Sequence, residues 1–151
     1  MLPRDEYSVT IPVSVDAAFY AFQDLNRLLH RGIYEEASWI EGKPWEVGSR
    51  LRYVVIKPVE ATIFAVVSSV SPPRAISLLN HALGIVADQH VTFGPDLKGG
   101  TRVRMMLEFV GEPTELPESV VQEAVAFLAK DVLDTLSALF DQPRGSSASG
   151  K

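Results

Sequence analysis

Residues 116–140 read LPESVVQEAVAFLAKDVLDTLSALF, and this stretch decides the fold. Pro117 and Glu118 suit the first turn of a helix, because proline lacks an N–H that would go unpaired there and an acid interacts favourably with the helix dipole. Apolar side chains then recur every three or four residues, the spacing of one helix face: Val121, Val125, Leu128, Val132, Leu136 and Leu139. We therefore predict a long amphipathic C-terminal helix.

The residues before this helix show a different period. Tyr7, Val9 and Ile11 alternate with polar residues, which is typical of a half-buried strand. Ser14 is a predicted N-cap, followed by a helix to about residue 25 and a short helical piece at 25–30. Further strands are predicted at residues 36–41, 50–57, 61–70, 75–80, 87–93 and 101–110.

Short successive strands joined by tight turns predict an antiparallel meander. Its apolar face has to be covered, and the C-terminal helix is the one predicted element long enough to cover it. The predicted class is α+β: a curved antiparallel sheet of about seven strands wrapped on the long C-terminal helix, with one or two short helices after strand 1. A curved sheet around a single helix leaves space between them for a small apolar ligand.

The composition narrows the class of protein without naming a function. The chain has 151 residues, a net charge of −5 and no cysteine. These values predict one domain at residues 1–141, followed by a flexible Ser/Gly-rich tail at 142–151. The acidic balance argues against nucleic acid as a partner. No stretch is typical of a signal peptide or a membrane helix, so we expect a cytoplasmic protein without membrane insertion.

Cysteine-based chemistry is excluded, because there is no thiol to form a disulfide, a nucleophile or a Cys-type zinc site. The three histidines, His30, His81 and His90, do not have the spacing of a metal site on a helix. No phosphate loop or dinucleotide motif is present. We therefore predict no metal and no cofactor.

Four local motifs, in this order, carry a family resemblance. They are IPVSVDAAFY at 11–20, GKPWEVGSR at 42–50, VSSVSPPR at 67–74 and GGTRV at 99–103. Together with the closing helix they resemble the START/Bet v 1-like (SRPBCC) superfamily, the helix-grip fold, and within it the bacterial polyketide cyclase/dehydrase-type branch. That superfamily includes lipid carriers, plant hormone receptors, aromatic cyclases and dehydratases, and it has no universal catalytic residue. The resemblance thus implies an apolar cavity and leaves the reaction open.

The predicted cavity wall combines the apolar faces of the strands and the helix. Gln89 shares a face with apolar neighbours in its strand, and so does Tyr53. A polar group on an apolar face needs a partner, water or a ligand, so either residue is a candidate to orient a ligand oxygen or is a satisfied core group. The predicted ligand-binding residues are Tyr53, Gln89, Val91, Phe93, Met105, Leu107, Val121, Val125 and Leu128.

His81 and Tyr53 are the candidate catalytic residues. Histidine is suited to acid–base catalysis near neutral pH, and His81 follows a predicted strand at a position where it could project into the cavity mouth. The alternative is a strand-end histidine that faces solvent.

Three functional hypotheses follow. The first is binding of a small hydrophobic or aromatic molecule, lipid or polyketide-like, in the cavity. The second is a polyketide cyclase or dehydratase that uses the same cavity, and the third is a protein-interaction module without a ligand. The oligomeric state, monomer or homodimer, is left open.

Overall fold

Seven strands and three helices form the part of the chain that the computed structural model describes, residues 4–141. The tail predicted at 142–151 lies outside the described residues. The elements are β1 Asp5–Ile11, α1 Val15–Phe22, α2 Leu25–Leu28, β2 Tyr34–Glu41, β3 Arg50–Val55, β4 Ala61–Ser71, β5 Ala75–Ala82, β6 Ile85–Pro95, β7 Thr101–Val110 and α3 Glu118–Leu139.

The strands form one antiparallel sheet in the order β1-β7-β6-β5-β4-β3-β2. Each strand from β2 to β7 pairs with its neighbour in sequence, as a meander does. The N-terminal strand β1 returns to pair with β7, with Tyr7 opposite Met105 and Ile11 opposite Thr101. This topology confirms the predicted helix-grip architecture, a curved sheet that holds the long helix α3.

The two faces of the sheet differ as the alternation predicts. On β7 the side chains of Val103, Met105 and Leu107 are buried on the inner face, towards α3. The outer face carries charges, and Arg104 forms a 2.6 Å ion pair with Glu6 of the neighbouring β1. The inner faces therefore supply the apolar core, and the charged residues stay in water.

Helix α1 closes one end of the core. Ser14 Oγ accepts a hydrogen bond from the backbone N–H of Ala17 at 3.2 Å, which confirms the predicted N-cap. The rings of Phe19 and Phe22 meet Phe93 of β6 edge to face, at centroid distances of 5.3 and 5.7 Å. Large aromatic side chains from a helix and a strand thus fill this end.

Helix α3 confirms the predicted long helix, and burial along its predicted apolar stripe is uneven. Its most buried apolar side chains are Val121, Leu133 and Leu136. Val125, Leu128 and Val132 are half-buried, because the space in front of them is not filled by protein. That space is the cavity described next.

Candidate ligand-binding cavity

A cavity of about 160 Å³ lies between the inner face of the sheet and α3, and it is partly open to solvent. Apolar side chains form nearly all of its wall. The lining residues are Phe22, Leu25, Leu28, Leu29, Tyr34, Trp45, Tyr53, Val55, Val59, Ala61, Ile63, Leu78, Asn80, Ala82, Leu83, Ile85, Ala87, Gln89, Met105, Leu107, Phe109, Val121, Ala124, Val125, Leu128, Ala129 and Val132.

Small side chains on both walls explain why this space is hollow. Ala61, Ala82 and Ala87 lie on the sheet, and Ala124 and Ala129 lie on the helix opposite. An alanine fills far less volume than a leucine or phenylalanine, whereas protein interiors are normally close-packed. Facing alanines therefore leave a void that a ligand can fill.

Two of the polar lining residues are bonded to each other. Asn80 Nδ2 donates a hydrogen bond to Gln89 Oε1 at 2.9 Å, across the β5–β6 pair. Gln89 Nε2 in turn lies 3.4 Å from the sulfur of Met105. The polar group that the sequence placed on the inner face of β6 is thus held by a protein partner.

Tyr34 and Tyr53 are different, because their hydroxyls have no hydrogen-bond partner among residues 4–141. Their ring centroids lie 6.1 Å apart. Burial raises the pKa of both phenols well above the usual 10.0, and the neighbouring Tyr53 and Asp131 raise that of Tyr34 further. Both hydroxyls therefore stay protonated at neutral pH and can donate to a ligand.

Tyr34 is a cavity residue that sequence reasoning missed, and a β-bulge is the reason. Tyr34 pairs with Val55 of β3, whereas Glu36 pairs with the next residue, Val54, so Glu35 is an extra residue in β2. Simple alternation would place Tyr34 on the same outer face as Glu36 and Ser38. The bulge turns Tyr34 inward. The sequence offered one signal for an inward position, an aromatic residue directly before two acids at the start of the predicted strand.

Most of the predicted ligand-binding residues are brought together on this wall: Tyr53, Gln89, Met105, Leu107, Val121, Val125 and Leu128. Val91 and Phe93 require a correction. They lie on the predicted face of β6, but Phe93 packs against Phe19 and Phe22, and Val91 is fully buried in the core. At their end of the strand the aromatic side chains leave no cavity to line.

His81 also requires a correction. It lies within β5 rather than after it, opposite Phe64 of β4 and Val86 of β6. Because Asn80 points inward, the next residue points to the outer face, and His81 is exposed there beside a shallow depression. His81 is thus separated from the cavity by the sheet and cannot act on a ligand inside it.

A small polar cluster ties the segment after α2 to α3, next to the cavity. His30 Nδ1 lies 3.1 Å from Asp131 Oδ1, and His30 Nε2 lies 3.1 Å from Thr135 Oγ1. Asp131 and Thr135 are one helical turn apart on α3. The second carboxylate oxygen of Asp131 is buried and has no hydrogen-bond partner among the described residues. The backbone carbonyl of His30 also accepts a hydrogen bond from the N–H of Tyr34 at 2.8 Å, so the cluster connects α3 to the start of β2.

Two further searches of residues 4–141 gave negative results. No group of three or more His, Asp or Glu side chains is arranged to hold a metal ion. Helix α3 is the longest helix, and neither it nor the two shorter ones is long and apolar enough to cross a membrane.

Solved structures match the chain in shape, although no protein-family model and no curated protein matches it by sequence. A START superfamily protein from Mycobacterium smegmatis aligns with a TM-score of 0.70 at 13% identity, over 91% of this chain and 96% of that one. Ara h 8.0201 aligns with a TM-score of 0.72 at 12% identity, over 91% and 97%. A conserved protein from Geobacillus kaustophilus aligns with 0.72 at 10%, over 91% and 95%.

Identities this low establish a shared fold and nothing about a shared ligand or reaction. The chain therefore has the helix-grip fold of START and Bet v 1-like proteins.

Proposed function

We propose that this protein binds a small hydrophobic or aromatic molecule in the cavity between the sheet and α3. The observation that carries the proposal is the combination of a hollow apolar wall with two protonated, unpartnered hydroxyls, those of Tyr34 and Tyr53. Ligand sites in proteins are mostly apolar concavities with a few placed polar groups.

The volume supports a small ligand. An engineered apolar cavity of about 150 Å³ stays free of water and binds benzene. The cavity here is of that size class, about 160 Å³, and its opening to solvent gives a ligand a way in. An aromatic ring fits inside, and a larger substituent would extend towards the opening.

Binding fits this wall better than turnover. A general acid or base works best when its pKa lies near the working pH. Burial moves the pKa of Tyr34 and Tyr53 in the opposite direction, upward from 10.0. The phenols are therefore good hydrogen-bond donors and poor proton carriers at neutral pH.

Native mass spectrometry of the protein purified from its own host tests the proposal directly. We expect a non-covalent adduct of one small apolar molecule per chain, which organic extraction removes and identifies. A protein that carries no adduct, and whose melting temperature is not raised by any member of a panel of lipids and aromatic polyketides, would contradict it.

A matched pair of variants on α3 locates the ligand. Ala124 is buried and lines the cavity, whereas Ala138 is exposed on the same helix. Ala124→Leu fills the cavity and should abolish the adduct, and Ala138→Leu should keep it. Loss of the adduct in both variants, or in neither, would place the ligand elsewhere.

A cyclase or dehydratase is the rival function, and Tyr34 and Tyr53 are the groups that would donate protons in it. The two functions differ in the fate of the bound molecule. An enzyme would convert a linear polyketide mimic into a cyclised or dehydrated product at a rate that depends on Tyr53. A binding protein would release the molecule unchanged.

A further inference from the structure

The cavity wall described among residues 4–141 contains no charged side chain: every lining residue is apolar, aromatic, or the uncharged amide of Asn80 or Gln89. A binding site for a carboxylate or phosphate normally supplies Arg, Lys or a cluster of backbone N–H groups. The side chains of this wall supply neither arginine nor lysine. An anion that entered would lose its water and gain no counter-ion.

A carboxylate on α3 acts on the tyrosine end of the cavity, and its charge has the wrong sign for an anionic ligand. Asp131 lies on α3 close enough to raise the pKa of Tyr34 by its negative charge. Its carboxylate is mostly buried, at 17% exposure, so solvent screens it only partly. His30, which pairs with Asp131, does not line the cavity. The charge of Asp131 itself therefore opposes a negative ligand at the tyrosine end.

The polar groups that are free favour a ligand that accepts hydrogen bonds. The hydroxyls of Tyr34 and Tyr53 have no partner among the described residues, whereas Asn80 and Gln89 bond to each other. A phenol that stays protonated donates one hydrogen bond. A ketone, ester or ether oxygen next to the tyrosines would satisfy at least one of these donors.

We propose that the cavity selects uncharged apolar molecules that carry an acceptor oxygen, such as a ketone or an ester, and excludes the corresponding carboxylates. The oxygen lies at the Tyr34–Tyr53 end, and the apolar body lies among the alanines. This inference rests on the proposed function, because it specifies the ligand class of that same cavity.

Naphthalene and three of its derivatives test it on the unmodified chain at neutral pH: methyl 2-naphthoate, 2-acetylnaphthalene and 2-naphthoate. Calorimetry or fluorescence gives each Kd. We expect the ester and the ketone to bind at least about tenfold more tightly than the carboxylate, which has the same ring and a substituent of similar size but carries a negative charge. Naphthalene should bind between these two, because it makes no hydrogen bond and carries no charge.

Tyrosine variants locate the oxygen. Tyr53→Phe should weaken the ester and the ketone by about threefold to tenfold, which is the usual effect of one hydrogen bond, and should leave naphthalene unchanged. Tyr34→Phe is the second variant with the same expectation. Tyr20→Phe is the matched control, because Tyr20 is 58% exposed on α1 and is not part of the wall.

The outcomes separate the two proposals. Carboxylate binding as tight as ester binding, with the Ala124→Leu variant blocking both, overturns the exclusion of anions and leaves a ligand-binding cavity intact. Equal loss of naphthalene and ester in both tyrosine variants overturns the placement of the oxygen. Failure of all four probes to bind overturns the proposed function and this inference together.

Discussion

One strand, β6, crosses two regions of the core that pack in opposite ways. At the packed end, Phe93 packs against two phenylalanines of α1, and Val91 is fully buried. At the hollow end, Gln89 and Ala87 face the cavity and α3. Both ends belong to the same inner face with the same two-residue period. Side-chain size, and the presence of α1 with its phenylalanines at one end, therefore decides where this fold is solid and where it is hollow.

The largest effect is expected at the packed end. Phe93→Ala removes a ring that contacts both Phe19 and Phe22 and should lower the free energy of unfolding by about 3–5 kcal/mol. Val125→Ala at the hollow end removes contacts from a half-buried residue beside empty space and should cost far less. Denaturant unfolding of both variants measures the difference, and equal losses would mean that the two ends are packed alike.

A second pair of variants adds the same group at each end. Ala18→Leu inserts a larger side chain beside fully buried neighbours and should destabilise by about 1–3 kcal/mol. Ala87→Leu inserts it into the cavity and should leave stability unchanged or raise it by about 0.5–2 kcal/mol. Thermal unfolding of the ligand-free proteins gives both values. The comparison fails if Ala87→Leu is the more destabilised of the two.

Alkaline pH should lower the free energy of unfolding through the two tyrosines at the hollow end. Burial raises the folded-state pKa of Tyr34 and Tyr53 above the usual 10.0. Above pH 10 the unfolded chain loses these phenol protons while the folded chain keeps them, so stability falls as pH rises. The slope is at most about 1.4 kcal/mol per pH unit for each tyrosine, and water in the open cavity reduces it.

The double variant Tyr34→Phe/Tyr53→Phe should reduce this dependence but leave the contribution of Tyr7, whose pKa is also raised by burial and by Asp5, and Tyr20→Phe should keep it. Denaturant midpoints measured from neutral pH to above pH 10 provide the test. An unchanged alkaline slope in the double variant would show that the two phenols are as exposed to water in the folded state as in the unfolded one.

The smallest effect concerns the connection of the hollow end to α3. His30→Ala removes the contacts to Asp131 and Thr135, but the histidine side chain is 52% exposed, so we expect a loss of about 1 kcal/mol or less. Hydrogen exchange in residues 25–34 should become faster. His90→Ala is the control, because His90 also contacts a carboxylate, that of Asp88, but on the outer face of the sheet. If hydrogen exchange is unchanged in the His30→Ala variant, these contacts do not hold residues 25–34 against α3.

Much of the fold was predictable because the pattern is regular. The inner faces of β3 and β7 were read correctly from alternation, since Tyr53 and Met105 point inward with their apolar neighbours. The C-terminal helix was found because its apolar period persists over 22 residues. A long regular period identifies the type of element even when its predicted ends are wrong by a few residues.

The remainder depended on information that alternation does not contain. Phe93 was placed on the correct face, but its distance from the cavity depends on α1, a different part of the chain. His81 was placed after its strand because the predicted strand ended at Asn80, whereas β5 continues to Ala82. Tyr34 lay beyond a bulge that reverses the face. Tertiary contacts and single-residue irregularities decide these positions.

The bulge in β2 makes the register at one strand end a determinant of ligand chemistry. Glu35 is the extra residue between Tyr34 and Glu36. If the same residues paired without the bulge, Tyr34 would lie on the outer face with Glu36, and Tyr53 would be the one phenol of the pair left in the wall. Deleting Glu35 removes the bulge but leaves Tyr34 opposite Val55 and facing inward. The deletion variant should therefore keep the alkaline slope, and a lost slope would show that Tyr34 has left the cavity.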